Sequence, residues 1–304
     1  VYMQNSGMGN AFNPIVSLAD KNVYSVPLVL LIGWRGEPGT NDWPQHRTQG
    51  AVTDKLLEML DIPFAAAEDN DDLMEARIQW AVRLARTRRG PVAVIAGKGV
   101  FAGGKKTSVL SGRYPMSREE AIEIILDTLP EHTIYVATTG RATRELYFLK
   151  EGHGHDFLNV GAMGHASSVA LGLAAADRGR QIVCLDGDCS ALMHMGAFSM
   201  VSKVDVPNLM HVVLNNGAHE SVGGQPSAGY SVDFTCIAKG AGYVTADSYV
   251  MSGDELAETV NRLAGAEKAS FIEVRIHKGL RGDLPPLKIS HHGLIQELME
   301  ELRR

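Results

Sequence analysis

The chain has 304 residues, 45% of them apolar and 21% charged, and a formal net charge of −6. That is enough material for two domains with buried cores, and the acidic balance excludes the basic surface that nucleic-acid binding requires. An apolar run at residues 26–32 is much shorter than the roughly 20 residues of a membrane-spanning helix. Cys184, Cys189 and Cys236 show no paired spacing, so we predict reduced packing residues in a cytoplasmic protein.

Strands and helices alternate in the first hundred residues. Strands are predicted at residues 26–32 and 91–96, and helices at residues 53–60 and 71–88. The pattern then gives way to Gly, Lys and Ser, so we predict a linker at residues 106–116. A phosphate-binding loop at residues 99–106 is disfavoured, because Lys106 stands where Ser or Thr should hold magnesium.

The alternation resumes after the linker. Ser117 and Glu120 form a capping-box pattern that opens a helix at residues 121–129. Further strands are predicted at residues 133–137, 157–160, 181–185, 209–214 and 270–276, with helices at 141–150, 165–177, 190–204 and 253–263. A last helix is expected in residues 291–304. This order predicts an α/β fold in which helices cover both faces of a parallel sheet.

Polar residues follow several of these strands. Asp188 and Asn216 are 28 positions apart, and each lies at the carboxyl end of a strand with a helical pattern between them. A parallel βαβ unit brings such side chains to one edge of the sheet. Carboxylate, carboxamide and phosphate oxygens are ligands that Mg²⁺ prefers. Gly187-Asp188 or Asn215-Asn216 by itself is a common turn at the end of a strand. The spacing between the two pairs predicts a cation site that holds a diphosphate.

These stretches, residues 185–191 and 214–226, resemble the thiamine-diphosphate motif of the 2-oxoacid decarboxylases, most closely the phosphonopyruvate decarboxylases. Similar segments lie at residues 3–10, 33–39, 44–46, 138–140 and 161–167. The resemblance implies two thiamine-diphosphate-binding-type domains, each a parallel sheet flanked by helices. Residues 1–105 would be the C-terminal part of a pyrimidine-binding domain, and residues 117–304 the diphosphate-binding domain. The first domain is expected to be incomplete, because the family's activating glutamate belongs upstream of residue 1.

The resemblance also implies thiamine diphosphate and Mg²⁺ as cofactors. The implied metal ligands are Asp188, Asn216 and Ala218. The implied cofactor contacts are Thr139, Gly140, Gly161, Met163, Gly187, Asp188, Cys189, Ser190, Asn216 and Ala218. The family pattern has glycine where this chain has Cys189, so either the backbone there needs no positive φ or cofactor affinity suffers.

Substrate contacts are expected from Arg35, His46 and Arg141, because arginine suits bidentate contact with phosphonate or carboxylate oxygens. His165, His46 and Arg35 are the candidate catalytic residues. A helix cap is an equal alternative for His165.

The implied reaction is decarboxylation of a small anionic 2-oxoacid, phosphonopyruvate, to phosphonoacetaldehyde and carbon dioxide. Two alternatives stay open: a decarboxylase of sulfopyruvate or another small 2-oxoacid, and a catalytically silent cofactor-binding subunit. The family places its cofactor between the first domain of one subunit and the second domain of another. We therefore expect a homodimer or larger homo-oligomer, with apolar surface at residues 3–15 and 192–200 partly buried in it, and no membrane or nucleic-acid partner.

Overall fold

The computed structural model describes residues 1–102, 113–151, 155–279, 282–284 and 287–303. Their contacts divide into two compact units, Val1–Lys105 and Lys106–Arg304. No helix within these described ranges is long and apolar enough to cross a bilayer. Most of the predicted linker lies outside the described residues, but Tyr114 and Met116 at its end are buried in the second unit.

The first unit contains a four-stranded parallel sheet in the order β1-β2-β4-β3. Its strands are β1 Tyr2–Gln4, β2 Leu28–Gly33, β3 Phe64–Ala66 and β4 Pro91–Ala96, and its helices are α1 Met8–Val16, α2 Pro44–Met59 and α3 Asp71–Arg88. The bounds of α3 and β4 confirm the prediction. The Asn70 side chain caps α3 by accepting a hydrogen bond from Leu73 N at 3.0 Å, and β4 is a buried apolar run as expected of an inner parallel strand.

Two differences from the prediction concern the helices of this unit. Helix α2 begins well before residue 53, because Pro44 at its first position has a φ suited to a helix start. Part of the apolar surface expected at a subunit interface is internal instead: Met8 and Ile15 on α1 are buried in the unit's own core. Phe12, on the same helix, is exposed.

The second unit contains a six-stranded parallel sheet in the order β11-β12-β8-β7-β5-β6, and a short antiparallel pair, β9 with β10. The strands are β5 Ile134–Ala137, β6 Phe157–Leu158, β7 Ile182–Gly187, β8 Leu209–Asn215, β9 Ala218–His219, β10 Gln225–Pro226, β11 Val244–Thr245 and β12 Ser270–Arg275. The helices are α4 Arg118–Thr128, α5 Arg141–Leu149, α6 Ala166–Ala176, α7 Asp188–Met193, α8 Phe234–Gly240, α9 Gly253–Ala264 and α10 His291–Glu301.

Helices cover both faces of this sheet, as predicted. Along β7, Val183 and Leu185 join one apolar cluster, while Ile182 and Cys184 join the cluster on the opposite face. A strand that is buried on both faces has a continuous run of apolar residues. For this reason the sequence predicts β7 as a strand. The capping box is also confirmed, since Ser117 Oγ accepts from Glu120 N at 3.1 Å and Glu120 Oε2 accepts from Ser117 N at 2.7 Å.

The prediction of one helix over residues 190–204 is wrong. Helix α7 ends at Met193, His194 leaves the helical conformation, and a 3₁₀ helix follows at Met195–Ser202. Gly196, at the start of that segment, has a low preference for α-helix. The sequence pattern did not reveal this break because apolar residues continue across it.

Candidate active site

A small cavity of about 70 Å³ lies at the carboxyl ends of β5, β7 and β8. Nine predicted site residues line it: Thr139, Arg141, Met163, Gly187, Asp188, Cys189, Ser190, Asn216 and Ala218. All three predicted metal ligands are in this set. Gly140 is the residue before α5, and Gly161 donates from its backbone N to Thr139 Oγ1 at 3.1 Å. Parallel strands therefore bring together residues that are far apart in the sequence.

Asp188 is the first residue of α7, and its side chain is buried. Its Oδ2 accepts hydrogen bonds from Ser227 Oγ and from Cys189 Sγ. Burial raises the pKa of Asp188, and the Ser227 hydrogen bond opposes that rise. Gly229 packs so closely that a Cβ there would overlap Asp188 Oδ2. Burial disfavours a charged carboxylate, so a cation would stabilise Asp188 strongly at this place.

Asn216 follows β8, and hydrogen bonds fix both ends of its carboxamide. Its Oδ1 accepts from Ala218 N at 3.1 Å, and its Nδ2 donates to Glu220 Oε2 at 3.0 Å. The preceding Asn215 accepts from Gly217 N at 3.0 Å, and donates to Glu273 Oε1 and Gly229 O, each at 2.9 Å. The loop that carries Asn216 and Ala218, two of the three predicted metal ligands, is thus held by hydrogen bonds of the Asn215 and Asn216 side chains.

Ser190 connects three loops around the cavity. Its Oγ accepts from Thr138 Oγ1 at 2.9 Å and from Gly164 N at 3.1 Å. Gly161 has a φ of 74°, in the left-handed region that favours glycine. This turn directs Met163 to the cavity wall, where its contact with the cofactor stays a prediction.

Cys189 settles the question raised by the missing glycine. It lies inside α7 with helical backbone, so a side chain is accommodated there without a positive φ. Its thiol is 3.7 Å from Asp188 Oδ2. Burial, with a contribution from the charge of Asp188, raises the pKa of Cys189 to about 12. The thiol is therefore a neutral packing group at physiological pH.

Arg141 brings a positive charge to the cavity. Its Nε is buried and has no hydrogen-bond partner. Burial lowers the pKa of Arg141, the charge of Glu220 raises it, and Arg118 and Arg144 lower it, but an arginine remains protonated at neutral pH. A buried guanidinium N–H without a partner fits an anion such as a phosphate or phosphonate group.

His165 is the residue before α6, but its side chain makes no capping hydrogen bond. Its ring stacks on His194 instead, with centroids 4.2 Å apart, and His194 Nε2 is buried without a partner. His165 is not among the residues that line the cavity.

Arg35 and His46 belong to the first unit. Arg35 follows β2 beside a larger cavity of about 740 Å³, whose walls also include Trp34, Trp43 and Lys98. Its guanidinium is already paired with Asp42. His46 Nδ1 is buried without a hydrogen-bond partner, and burial together with the charge of Arg35 lowers the pKa of His46. The neutral imidazole is therefore favoured.

The second-unit cavity has the chemistry that its predicted cofactors require. A carboxylate and a carboxamide are hard oxygen ligands of the kind that Mg²⁺ takes. The unpartnered Arg141 Nε supplies a hydrogen-bond donor of the kind that a diphosphate requires. Sequence reasoning missed Arg118, Glu220, Ser227 and Gly229, which surround these groups. Arg118 and Glu220 are partners across 102 positions, and Ser227 contacts Asp188 across 39, so no local pattern marks these contacts.

Comparisons with known proteins find similarity over most of the chain. A family model described as "Thiamine pyrophosphate enzyme, C-terminal TPP binding domain" matches residues 131–274. A phosphonopyruvate decarboxylase from Streptomyces hygroscopicus is 32% identical over 98% of this chain and 77% of its own length. Another from Streptomyces viridochromogenes is 33% identical over 91% of this chain and 72% of its own. The sulfopyruvate decarboxylase subunit beta of Methanothermobacter thermautotrophicus is 29% identical over 62% of this chain and 96% of its own.

Proposed function

We propose, because the chain belongs to the thiamine-diphosphate-dependent 2-oxoacid decarboxylase family, that it decarboxylates phosphonopyruvate to phosphonoacetaldehyde and carbon dioxide. The observation that carries the proposal is the second-unit cavity, which has Asp188, Asn216 and Ala218 in its wall beside the unpartnered Arg141 Nε. Similarity to two phosphonopyruvate decarboxylases over most of the chain supports this substrate.

The proposed roles divide between the two cofactors. Asp188, Asn216 and the Ala218 carbonyl hold Mg²⁺. Thr139, Gly140, Gly161, Met163, Gly187, Cys189 and Ser190 surround thiamine diphosphate. When bound, thiamine diphosphate supplies an electron sink for the loss of carbon dioxide from a 2-oxoacid.

The other roles concern the substrate. Arg141 and Arg35 donate hydrogen bonds to anionic oxygens. The pair with Asp42 uses only Nε and Nη2 of Arg35, so Nη1 can donate while that pair stays in place. His46 and His165 are proposed to hold or transfer a proton near the reacting acid, and His46 is suited to accept one because the lowered pKa keeps it neutral.

The second candidate substrate is sulfopyruvate. It is favoured by the similarity to a sulfopyruvate decarboxylase subunit over 62% of this chain. Phosphonate and sulfonate groups both offer three oxygens to arginine, so contact chemistry alone does not separate the two acids.

The test has a binding stage and a product stage. Calorimetry with thiamine diphosphate and Mg²⁺ is expected to show binding that Asp188→Ala abolishes. Asp205→Ala serves as the control, because Asp205 is 80% exposed and contacts Arg178 at 3.8 Å. Turnover is then compared on phosphonopyruvate, sulfopyruvate and pyruvate.

Each outcome selects one function. Faster turnover of phosphonopyruvate supports the proposal, and faster turnover of sulfopyruvate favours the second candidate. Cofactor binding without turnover of any acid indicates a silent binding subunit. Absence of cofactor binding by the unmodified chain overturns the proposal.

We also propose a homodimer or larger homo-oligomer. Met193 and Met200, in the segment predicted for an interface, are 47% and 49% exposed, and exposed apolar side chains grouped in one segment favour association. Light scattering of the purified chain at several concentrations tests this, and a monomer throughout would contradict it.

A further inference from the structure

Glu220 makes several contacts that the proposed function does not use. Its Oε2 accepts hydrogen bonds from Asn216 Nδ2 and from Arg118 Nη1, each at 3.0 Å. Its Oε1 accepts from Gly279 N at 2.6 Å. The side chain is 16% exposed and lines the same cavity as Asp188. Glu220 is therefore anchored from three directions and touches a predicted metal ligand.

The contact with Asn216 has a chemical consequence. The two ends of a carboxamide have nearly the same shape, but its oxygen accepts and its nitrogen donates. An ionised carboxylate can only accept, so Asn216 must present Nδ2 to Glu220. The oxygen then faces the other way, toward Ala218 N. The reversed carboxamide would place two acceptors together and would offer an NH₂ group, which does not bind a cation.

Arg118 holds Glu220 in the place that this effect requires. Arg118 is buried at the start of α4, between Glu220 and the buried Glu145, which accepts from its Nη2 at 2.9 Å. Its positive charge compensates the Glu220 carboxylate, because opposite charges at this distance stabilise one another where water is scarce. A carboxylate can thus stand beside a diphosphate site without remaining unpaired.

We propose that Glu220 is a positioning residue, which fixes the carboxamide of Asn216 so that its oxygen is available to the cation. The inference rests on the proposed function, because it requires the cation site at Asp188 and Asn216. It adds a residue that acts on the cation through Asn216 rather than by direct contact.

The first experiment measures the Mg²⁺ affinity of Glu220→Gln by calorimetry in saturating thiamine diphosphate. A glutamine offers either an oxygen or a nitrogen to Asn216, so only the hydrogen bond from Ala218 N still favours the observed orientation. Loss of such an outer partner is expected to lower metal affinity about 10- to 100-fold. Glu123→Gln is the control, because Glu123 is an exposed glutamate on α4, and it should leave the affinity unchanged.

The second experiment repeats the change in an Asn216→Asp background. Aspartate carries two equivalent oxygens and needs no orienting partner, while its charge is repelled by Glu220. Glu220→Gln should therefore raise Mg²⁺ affinity in this background or leave it unchanged. A merely structural role for Glu220 would lower the affinity by a similar factor in both backgrounds.

The outcomes separate the inference from the function on which it rests. If the unmodified chain does not bind thiamine diphosphate with Mg²⁺, the proposed function fails. If it binds both and Glu220→Gln has the same Mg²⁺ affinity, the positioning role is overturned while the function stands. If Glu220→Gln does not fold, Glu220→Asp replaces it. The shorter carboxylate keeps the charge beside Arg118 but cannot span the same distance to Asn216, so the same loss is expected.

Discussion

Arg35 and Asp42 are joined by two parallel hydrogen bonds, 2.7 Å from Nε to Oδ2 and 2.6 Å from Nη2 to Oδ1. Asp42 also accepts from Gly36 N at 2.9 Å and from Trp43 N at 2.7 Å. One carboxylate therefore holds the loop after β2 together and aims the Arg35 guanidinium.

Asp42→Asn is expected to destabilise the first unit by about 1–3 kcal/mol, because it weakens several hydrogen bonds to a charged acceptor. All three tryptophans of the chain, Trp34, Trp43 and Trp80, lie in this unit. Urea unfolding followed by tryptophan fluorescence therefore reports on it selectively. Asp69→Asn, at an exposed position of the same unit, is the control and should change little.

The contribution of Asp42 to the free energy of unfolding should also depend on pH. The hydrogen bond from Arg35 is the largest cause that lowers the pKa of Asp42 from 3.8. A lowered folded-state pKa contributes stability that is present above the unfolded-state pKa and is lost as pH falls. The difference between the original chain and Asp42→Asn should therefore shrink below about pH 4. A difference that grows with acidification would contradict this account.

The capping box at α4 has a natural comparison in the same unit. Ser117 accepts a hydrogen bond from Glu120 N, whereas Ser252, at the start of α9, makes no side-chain capping bond. Ser117→Ala should cost about 1 kcal/mol, and Ser252→Ala should cost clearly less. Urea unfolding followed by circular dichroism measures both, and equal losses would remove the capping box as the cause.

Two glycines of the second unit should respond in opposite ways to alanine. A Cβ at Gly229 would overlap Asp188 Oδ2, so Gly229→Ala should weaken or abolish Mg²⁺ binding. Gly172, on α6, has open space around the Cβ position. Gly172→Ala should raise stability by about 0.5–1 kcal/mol, because alanine favours helix more than glycine does. Calorimetry and thermal unfolding distinguish the two, and unchanged Mg²⁺ affinity in Gly229→Ala would sink the first expectation.

The three thiols should differ in reactivity. Cys236 is exposed, whereas Cys184 and Cys189 are buried. Burial raises the pKa of Cys184 and, with the charge of Asp188, raises that of Cys189 to about 12. At pH 8 both buried groups are thiols rather than reactive thiolates. A colorimetric thiol reagent should therefore modify one cysteine of the native chain quickly and all three after denaturation; rapid modification of Cys189 in the native chain would refute this.

Part of this architecture is readable from the sequence because it depends on local patterns. The sequence predicts helix α3 and strand β4 at their observed bounds, because Gly90 and Pro91 end the helical pattern and β4 is an uninterrupted apolar run. The convergence of Asp188 and Asn216 follows from one rule about parallel strands. Short strands such as β1 and β3 have too few residues to show a period, so they were not predicted.

Other parts depend on contacts that no local pattern marks. Arg118 and Glu220 form an ion pair across 102 positions, and each residue alone looks like an ordinary surface charge. The pairing of Arg35 with Asp42 is not predictable either, because the six residues between them form no regular element. Sequence reasoning therefore found the groups proposed to meet the cofactors but not the groups that orient them.

Strands β7 and β8 are neighbours in the sheet, although helix α7 and the 3₁₀ segment separate them in the chain. Pairing them closes a long loop. The conformational entropy of this loop is lost before the contacts between the strands contribute any stabilisation, so such contacts form slowly. The two oxygens predicted to hold the cation cannot meet until this pairing is complete. During refolding, Mg²⁺ binding should consequently appear later than the helical circular-dichroism signal. The time at which Mg²⁺ binds would then report when β7 and β8 have paired.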